Sequence, residues 1–265
     1  MLGRLLTVAY DGTRYCGFQF QINGLTVQEV LEDALGRLEK QPLRIKGASR
    51  TDSGVHAIGQ RVFFITSHDL PDKAYMMGCN ALLPPDVAVL DVKRVPEDFN
   101  PRFTAGKIYR YTIRNSRVRD PLQVSSQWTV YRPLDVEAMR KAASHLVGTH
   151  DFSAFQAADC ERENAVRTVL RLEIQQHGAR IDFLVAGTAF LKNMVRIMVG
   201  TLVDAGAGRF SPDDVSVILE KRDRTAAGVT APAAGLCLMN VFYPGDATSA
   251  CLREGPWPDW NHETI

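Results

Sequence analysis

Gly47-Ala48-Ser49-Arg50-Thr51-Asp52-Ser53-Gly54-Val55-His56 sits between two strand-like runs, residues 43–46 and 60–65. A polar, glycine-punctuated segment between strands reads as a loop on a rigid scaffold, the usual setting for reactive side chains. It places a carboxylate, Asp52, between the guanidinium of Arg50 and a glycine. Upstream, residues 4–10 read as a strand, and Thr26-Val27-Gln28-Glu29 as a capping box that opens an amphipathic helix to about residue 39. Downstream, 80–85 reads as a turn and 87–92 as a further strand.

The plan then repeats. A strand is predicted at 108–114, a helix capped by Asp135 and ending at Gly148, strands at 169–175 and 180–185, a helix from Phe190 to about Asp204, and another with Ser211 as N-cap and Pro212 first. Strands and helices mixed without strict βαβ alternation predict an α+β fold: two similar lobes, with mostly antiparallel sheets covered by helices on one face. The lobes are expected at 1–105 and 106–243. The tail, 244–265, is rich in Pro and Gly and without periodicity, and is expected to be loosely packed and dispensable.

Across 265 residues, 31 basic side chains face 30 acidic ones, so the chain is no polycation and any nucleic-acid surface must be a local patch. Cys16, Cys79, Cys160, Cys237 and Cys251 are scattered without a C-x-x-C pair, which suits neither a disulfide framework nor a zinc ribbon and fits a reducing cytoplasm. The chain starts directly on a strand-like run, and no stretch approaches the roughly 20 apolar residues of a membrane span. A soluble cytoplasmic protein is expected.

Asp52 has the chemistry of a covalent nucleophile or general base if it stays ionised, and Arg50, which cannot lose its proton, would hold it so. Spacing alone equally allows an Asx-turn residue that caps the loop. Arg196 stands in a helix that is otherwise apolar nearly all round, and a buried guanidinium needs a partner. Its helical neighbours Lys192, Asn193, Val199 and Gly200 supply no carboxylate, which leaves Asp52, another acid, or an escape to the surface.

From Arg102 to Arg119 the chain carries Arg102, Lys107, Arg110, Arg114, Arg117 and Arg119 without one acid, interleaved with Phe103, Tyr109 and Tyr111. Phosphates attract the first set and bases stack on the second. Alternation predicts Tyr109, Tyr111 and Ile113 on one face and a basic face opposite, which is also the pattern of an ordinary half-solvated strand. His145 and His150 share no helical face and no acid or thiol completes a metal site, so no metal is expected.

These segments resemble a known family. Gly47 to Ala57 is similar to the G-R-T-D-x-G-V-H-A segment of the TruA-type tRNA pseudouridine synthases. In the same order follow Tyr10-Asp11-Gly12-Thr13-Arg14-Tyr15-Cys16-Gly17-Phe18-Gln19 before it and, after it, Phe99-Asn100-Pro101-Arg102-Phe103, Tyr109-Arg110-Tyr111, Asp151-Phe152-Ser153-Ala154-Phe155, Phe190-Leu191-Lys192-Asn193-Met194-Val195-Arg196, Asp223-Arg224 and Gly235-Leu236. The sequence departs from the family at Ser49, often glycine, at Phe18, commonly tryptophan, and at Lys192-Asn193, frequently two histidines.

The resemblance implies a pseudouridine synthase fold with a cleft between the lobes. It implies Asp52 as the catalytic aspartate, Arg196 as its ion-pair partner, Tyr109 as the ring stacked on the target base, and Arg50 as a helper in moving that base out of its helix. Leu236, with Val55, would floor the pocket. Phe99, Asn100, Pro101, Arg102, Phe103, Lys107, Arg110, Arg117 and Arg162 would contact tRNA. The implied substrates are uridines 38, 39 and 40 of the anticodon stem-loop, the implied assembly is a homodimer, and no cofactor is implied. Two other classes share the basic stretch or the carboxylate: a catalytically silent RNA-binding module and an aspartate-dependent nucleosidase.

Overall fold

The computed structural model describes residues 2–160 and 164–260. Contacts group them into two units, one of Met1–Ala105 with Cys237–Pro244 and Asp259–Ile265, the other of Gly106–Leu236 with Gly245–Pro258. The first unit opens with β1 (Leu2–Tyr10) and continues through α1 (Val27–Glu39), the short β2 (Lys46–Gly47), β3 (His56–Thr66), α2 (Asp72–Leu82) and β4 (Val87–Val95). The second holds β5 (Gly106–Asn115), β6 (Trp128–Val130), α3 (Val136–Ser144), β7 (Gly148–Asp151), β8 (Val166–His177), β9 (Arg180–Gly187), α4 (Met194–Gly206) and α5 (Asp214–Lys221). β10 (Leu236–Phe242) then returns to the first unit, where it runs parallel to β3 with Cys237 opposite His56.

In the first unit β1 lies between β3 and β4, antiparallel to both, with Leu2 opposite Thr66 and Gly3 opposite Val95. In the second, β9 lies between β5 and β8, again antiparallel, and β7 flanks β8. The parallel pairs β10 with β3 and β6 with β5 make the strand pairing within each unit mixed. This is an α+β architecture. Leu6 and Val8, on one face of β1, are buried, as are Leu31 and Leu35 of α1 and Tyr75 and Cys79 of α2 in the same unit, all at or below 1% exposure. The second core joins Tyr111, Ile113, Ile181 and Phe183 to Met139 of α3 and Ile197, Met198 and Leu202 of α4.

Several elements differ from expectation. α1 forms as predicted, with the Thr26 hydroxyl accepting from Glu29 N at 3.3 Å. α2 was not foreseen, and Asn80, read as a turn residue, lies inside it, its amide group clamping Val89 N and O. α4 starts at Met194 rather than Phe190 because Asn193 takes a left-handed conformation, φ 61°. α3 stops at Ser144, and Gly148, at φ 119°, opens β7 instead. α5 is regular only from Asp214, so its N-cap is Asp213 rather than Ser211, which instead exchanges bonds with Asp214 at 2.7 and 3.3 Å in the turn before the helix.

The tail is packed, not loose. Cys251 and Leu252 are buried, the Arg171 guanidinium lies 4.0 Å from the centre of the Trp257 ring, and the Trp257 indole donates to Glu173 Oε2 at 2.6 Å. Among the described residues no helix is long and apolar enough to cross a membrane.

Candidate active site

In the first unit, the loop bearing Asp52 is fixed from both flanks. On one side Gln60, fully buried on β3, donates to Ser49 O at 2.7 Å and accepts from Ser49 N at 3.2 Å. On the other, the end of β1 and the turn after it grip the next residues: Tyr10 and Thr51 share a hydroxyl bond of 2.8 Å, Phe18 N donates to Thr51 O at 3.1 Å, and Ser53 Oγ donates to Tyr15 O at 3.1 Å. The Asp52 backbone carbonyl closes the turn by accepting from Val55 N at 3.1 Å, with Gly54 at φ 78°. The turn thus has a backbone closure of its own. Asp52 is half-buried, Arg50 exposed and Val55 buried.

The brace around this loop is itself held. Burial, and then the Asp86 carboxylate that accepts its hydroxyl, push Tyr15 up to about 12, which keeps it a neutral donor. Gly12 N donates to His56 Nδ1 at 3.1 Å, tying the turn after β1 to the first residue of β3.

In the second unit Arg196 lies in the first turn of α4, half-buried. Its NH1 donates to Asn193 Oδ1 at 2.8 Å and its Nε to Ala231 O at 2.7 Å, while Ala231 N donates back to Arg196 O at 3.1 Å. Two anchored nitrogens set the plane and the direction of the guanidinium. The next carbonyl, Pro232 O, accepts the Tyr111 hydroxyl at 2.8 Å. Burial raises that phenol well above its ordinary value, against the nearby charge of Arg196. On the strand that carries it, Tyr109 is 6% exposed and meets Phe190 edge-on, centroids 5.2 Å apart. Leu236 is 6% exposed at the start of β10.

The residues expected to contact RNA divide by role. Phe99 packs against Phe63 and Tyr243 at 6.0 and 5.0 Å, and buried Pro101 accepts the Tyr243 hydroxyl at 3.1 Å, so both are anchors. Asn100 shapes the turn by accepting from Arg102 N with its side chain and from Phe103 N with its carbonyl, at 3.0 and 3.1 Å. Arg102 and Phe103, the latter 72% exposed, are what the turn displays. Lys107 and Arg110 are half-buried on β5, and Arg117 is exposed after it. The basic face of β5 is not solvated as alternation suggested: Ile108 is fully buried and Thr112 donates to Asp182 at 2.7 Å. Arg162 lies outside the described residues.

Asp52, Arg50 and the turn from Phe99 to Phe103 belong to the first unit, and Arg196, Tyr109, Leu236, Lys107, Arg110 and Arg117 to the second. Sequence reading missed the supports: Tyr10, Tyr15 and Gln60 around the loop, and Asn193 with Ala231 around Arg196. An asparagine before an apolar helix was the one available signal for the left-handed start.

The sequence that builds these elements matches those of known proteins. The sequence profile of tRNA pseudouridine synthases matches residues 6–104 and 142–244. The chain is 50% identical over 260 residues to tRNA pseudouridine synthase A of Myxococcus xanthus, covering 94% of this chain and 98% of that one. It is 49% identical over 239 residues to the protein of the same name in Pelobacter propionicus, and 46% over 239 residues to that of Geotalea daltonii, each covering 90% of this chain and 98% of the relative. With that identity along nearly its whole length, the chain belongs to the tRNA pseudouridine synthase family.

Proposed function

We propose that the protein isomerises uridine to pseudouridine in the anticodon stem-loop of tRNA, at positions 38, 39 and 40, with Asp52 as catalytic carboxylate and Arg196 as its ion-pair partner. The observation that carries this reading is the rigidity of both elements: the neighbours of Asp52 are locked by buried bonds, and two nitrogens of Arg196 are fixed to Asn193 and Ala231. Preorganised charge of this kind lowers a barrier because no reorganisation is left for the moment of reaction.

The target uridine leaves its stack, assisted by Arg50, and enters the active site. Asp52 attacks the uracil ring or the ribose, and the bond between C1′ and N1 breaks. Uracil turns in place, C1′ bonds to C5, the bond that Asp52 formed breaks to return the carboxylate, and the proton displaced from C5 is balanced by the one gained at N1. Reactant and product have the same formula, so the step needs neither oxidant nor group donor. Tyr109 stacks on the loose base, and Val55 and Leu236 keep the floor apolar so that the neutral ring is held without being hydrolysed away. Arg102, Phe103, Lys107, Arg110, Arg117 and Arg162 engage the surrounding RNA, on a scaffold set by Phe99, Asn100 and Pro101. The enzyme acts as a cytoplasmic homodimer without a cofactor.

The test is nucleoside analysis of a uridine-bearing tRNA after incubation. Pseudouridine at the three positions, in RNA of unchanged length and mass, is expected. Free uracil would instead mark a nucleosidase, and bound but unaltered RNA a silent binding module.

A further inference from the structure

The loop from Cys16 to Leu25 exposes apolar side chains without being loosely held. Phe20 is 45% exposed, Ile22 99% and Leu25 46%. Yet Cys16 N donates to Leu25 O at 2.8 Å and closes the loop at its base, Gln21 Nε2 donates to Cys16 O at 2.8 Å, and Phe20 N donates to Gln28 Oε1 at 3.0 Å. Folding gains nothing from fixing such side chains in water, so their display points to a partner.

The surroundings say which partner. The Arg44 guanidinium lies 5.7 Å from the centre of the Phe20 ring, its side chain 75% exposed. Glu32, which accepts from Arg44 at 2.8 Å, also accepts from Ile45 N and is nearly buried. Lys46 and Arg50 continue the exposed cations along the chain to Asp52, and the adjoining depression is lined by Arg37, Lys40 and Arg44 against Glu32 and Asp33. The loop also abuts the loop that carries Asp52, through the bond of Phe18 N to Thr51 O and, at the residue just before it, that of Ser53 Oγ to Tyr15 O. An open aromatic face beside cations, next to the reacting carboxylate, suits an unpaired nucleotide and its phosphate.

We infer that this loop is a substrate subsite, in which Phe20 stacks on an unpaired nucleotide near the target uridine and Arg44 meets its phosphate. The inference rests on the protein acting on RNA as set out above. It is tested by measuring Kd for an anticodon stem-loop by fluorescence anisotropy, with pseudouridine formation followed in parallel for wild type, Phe20→Ala, Phe20→Tyr and Ile22→Glu. Phe20→Ala weakens binding on the order of tenfold. Ile22→Glu, a change at a fully exposed position that leaves folding untouched, weakens it several-fold by repelling phosphate. Phe20→Tyr restores wild-type binding, and turnover at saturating RNA is unchanged in all. Affinities within twofold of wild type for both Phe20→Ala and Ile22→Glu, or lost turnover with unchanged affinity, would overturn the subsite. Wild-type protein that binds the stem-loop without modifying it would defeat the proposed function, while the comparison of affinities still decides the subsite.

Discussion

Gly12 leaves no room for a methyl group: a Cβ there would lie 2.0 Å from the Val55 carbonyl oxygen, three residues past Asp52. Gly12→Ala therefore has to push the loop that carries Asp52 aside. We expect a loss of about 1–3 kcal/mol in urea unfolding together with a drop in turnover; an unchanged midpoint and unchanged turnover would refute the close contact. A second residue controls acid stability. Burial alone would raise Glu39, but bonds from Thr66, Tyr75, Ser67 and His68 hold it at about 2, below its ordinary 4.5. A depressed carboxylate stabilises the fold fully above pH 4.5 and loses that contribution as pH falls towards 2. For this buried group the contribution is up to about 3 kcal/mol. Glu39→Gln should cost much of it at neutral pH and flatten the stability profile between pH 4.5 and 2; a mutant that follows the wild-type acid limb would contradict the assignment.

At the scale of elements, the C-terminal segment is held by one clamp. Arg171 donates to Gly255 O at 2.8 Å and to Cys251 O at 3.3 Å while it stacks on Trp257. Trp257→Ala removes the stack and the bond to Glu173, and should lower stability by about 2 kcal/mol, read as a shifted denaturant midpoint; no shift would return the segment to the status of a loose tail. That packing was invisible in the sequence because Pro and Gly mark irregular backbone, and irregular backbone can be packed as firmly as a helix. Where local chemistry decides, the sequence was readable: Thr26 and Glu29 announced α1, the alternation of residues 4–10 announced β1, and Asp135 announced α3. Where distant pairing decides, it was not. β10 follows a long irregular stretch, and its place beside β3, a strand far away in sequence, is set by pairing that no local pattern announces. α2 carries Gly78 and begins at Pro71 without a side-chain cap, so its helix comes from packing on β4 more than from propensity. In the site, residue types revealed Asp52 and Arg196 as anomalies, while Asn193, Ala231 and Gln60, which aim them, act through geometry that no residue type advertises.

For the whole molecule, a net charge of +1 means that binding to tRNA must come from a few placed cations rather than a general field. Affinity should still fall steeply with added salt, since each phosphate neutralised releases counterions. Kd values measured across a salt series give the slope, and a flat line would contradict contact through Arg102, Lys107, Arg110 and Arg117. Binding and chemistry are assigned to different residues, which makes them separable in one variant. The most direct measurement is single-turnover formation of pseudouridine by Asp52→Asn at saturating tRNA, alongside its Kd. The account predicts a rate reduced on the order of 10³-fold or more with affinity close to wild type. Product at the wild-type rate would contradict it.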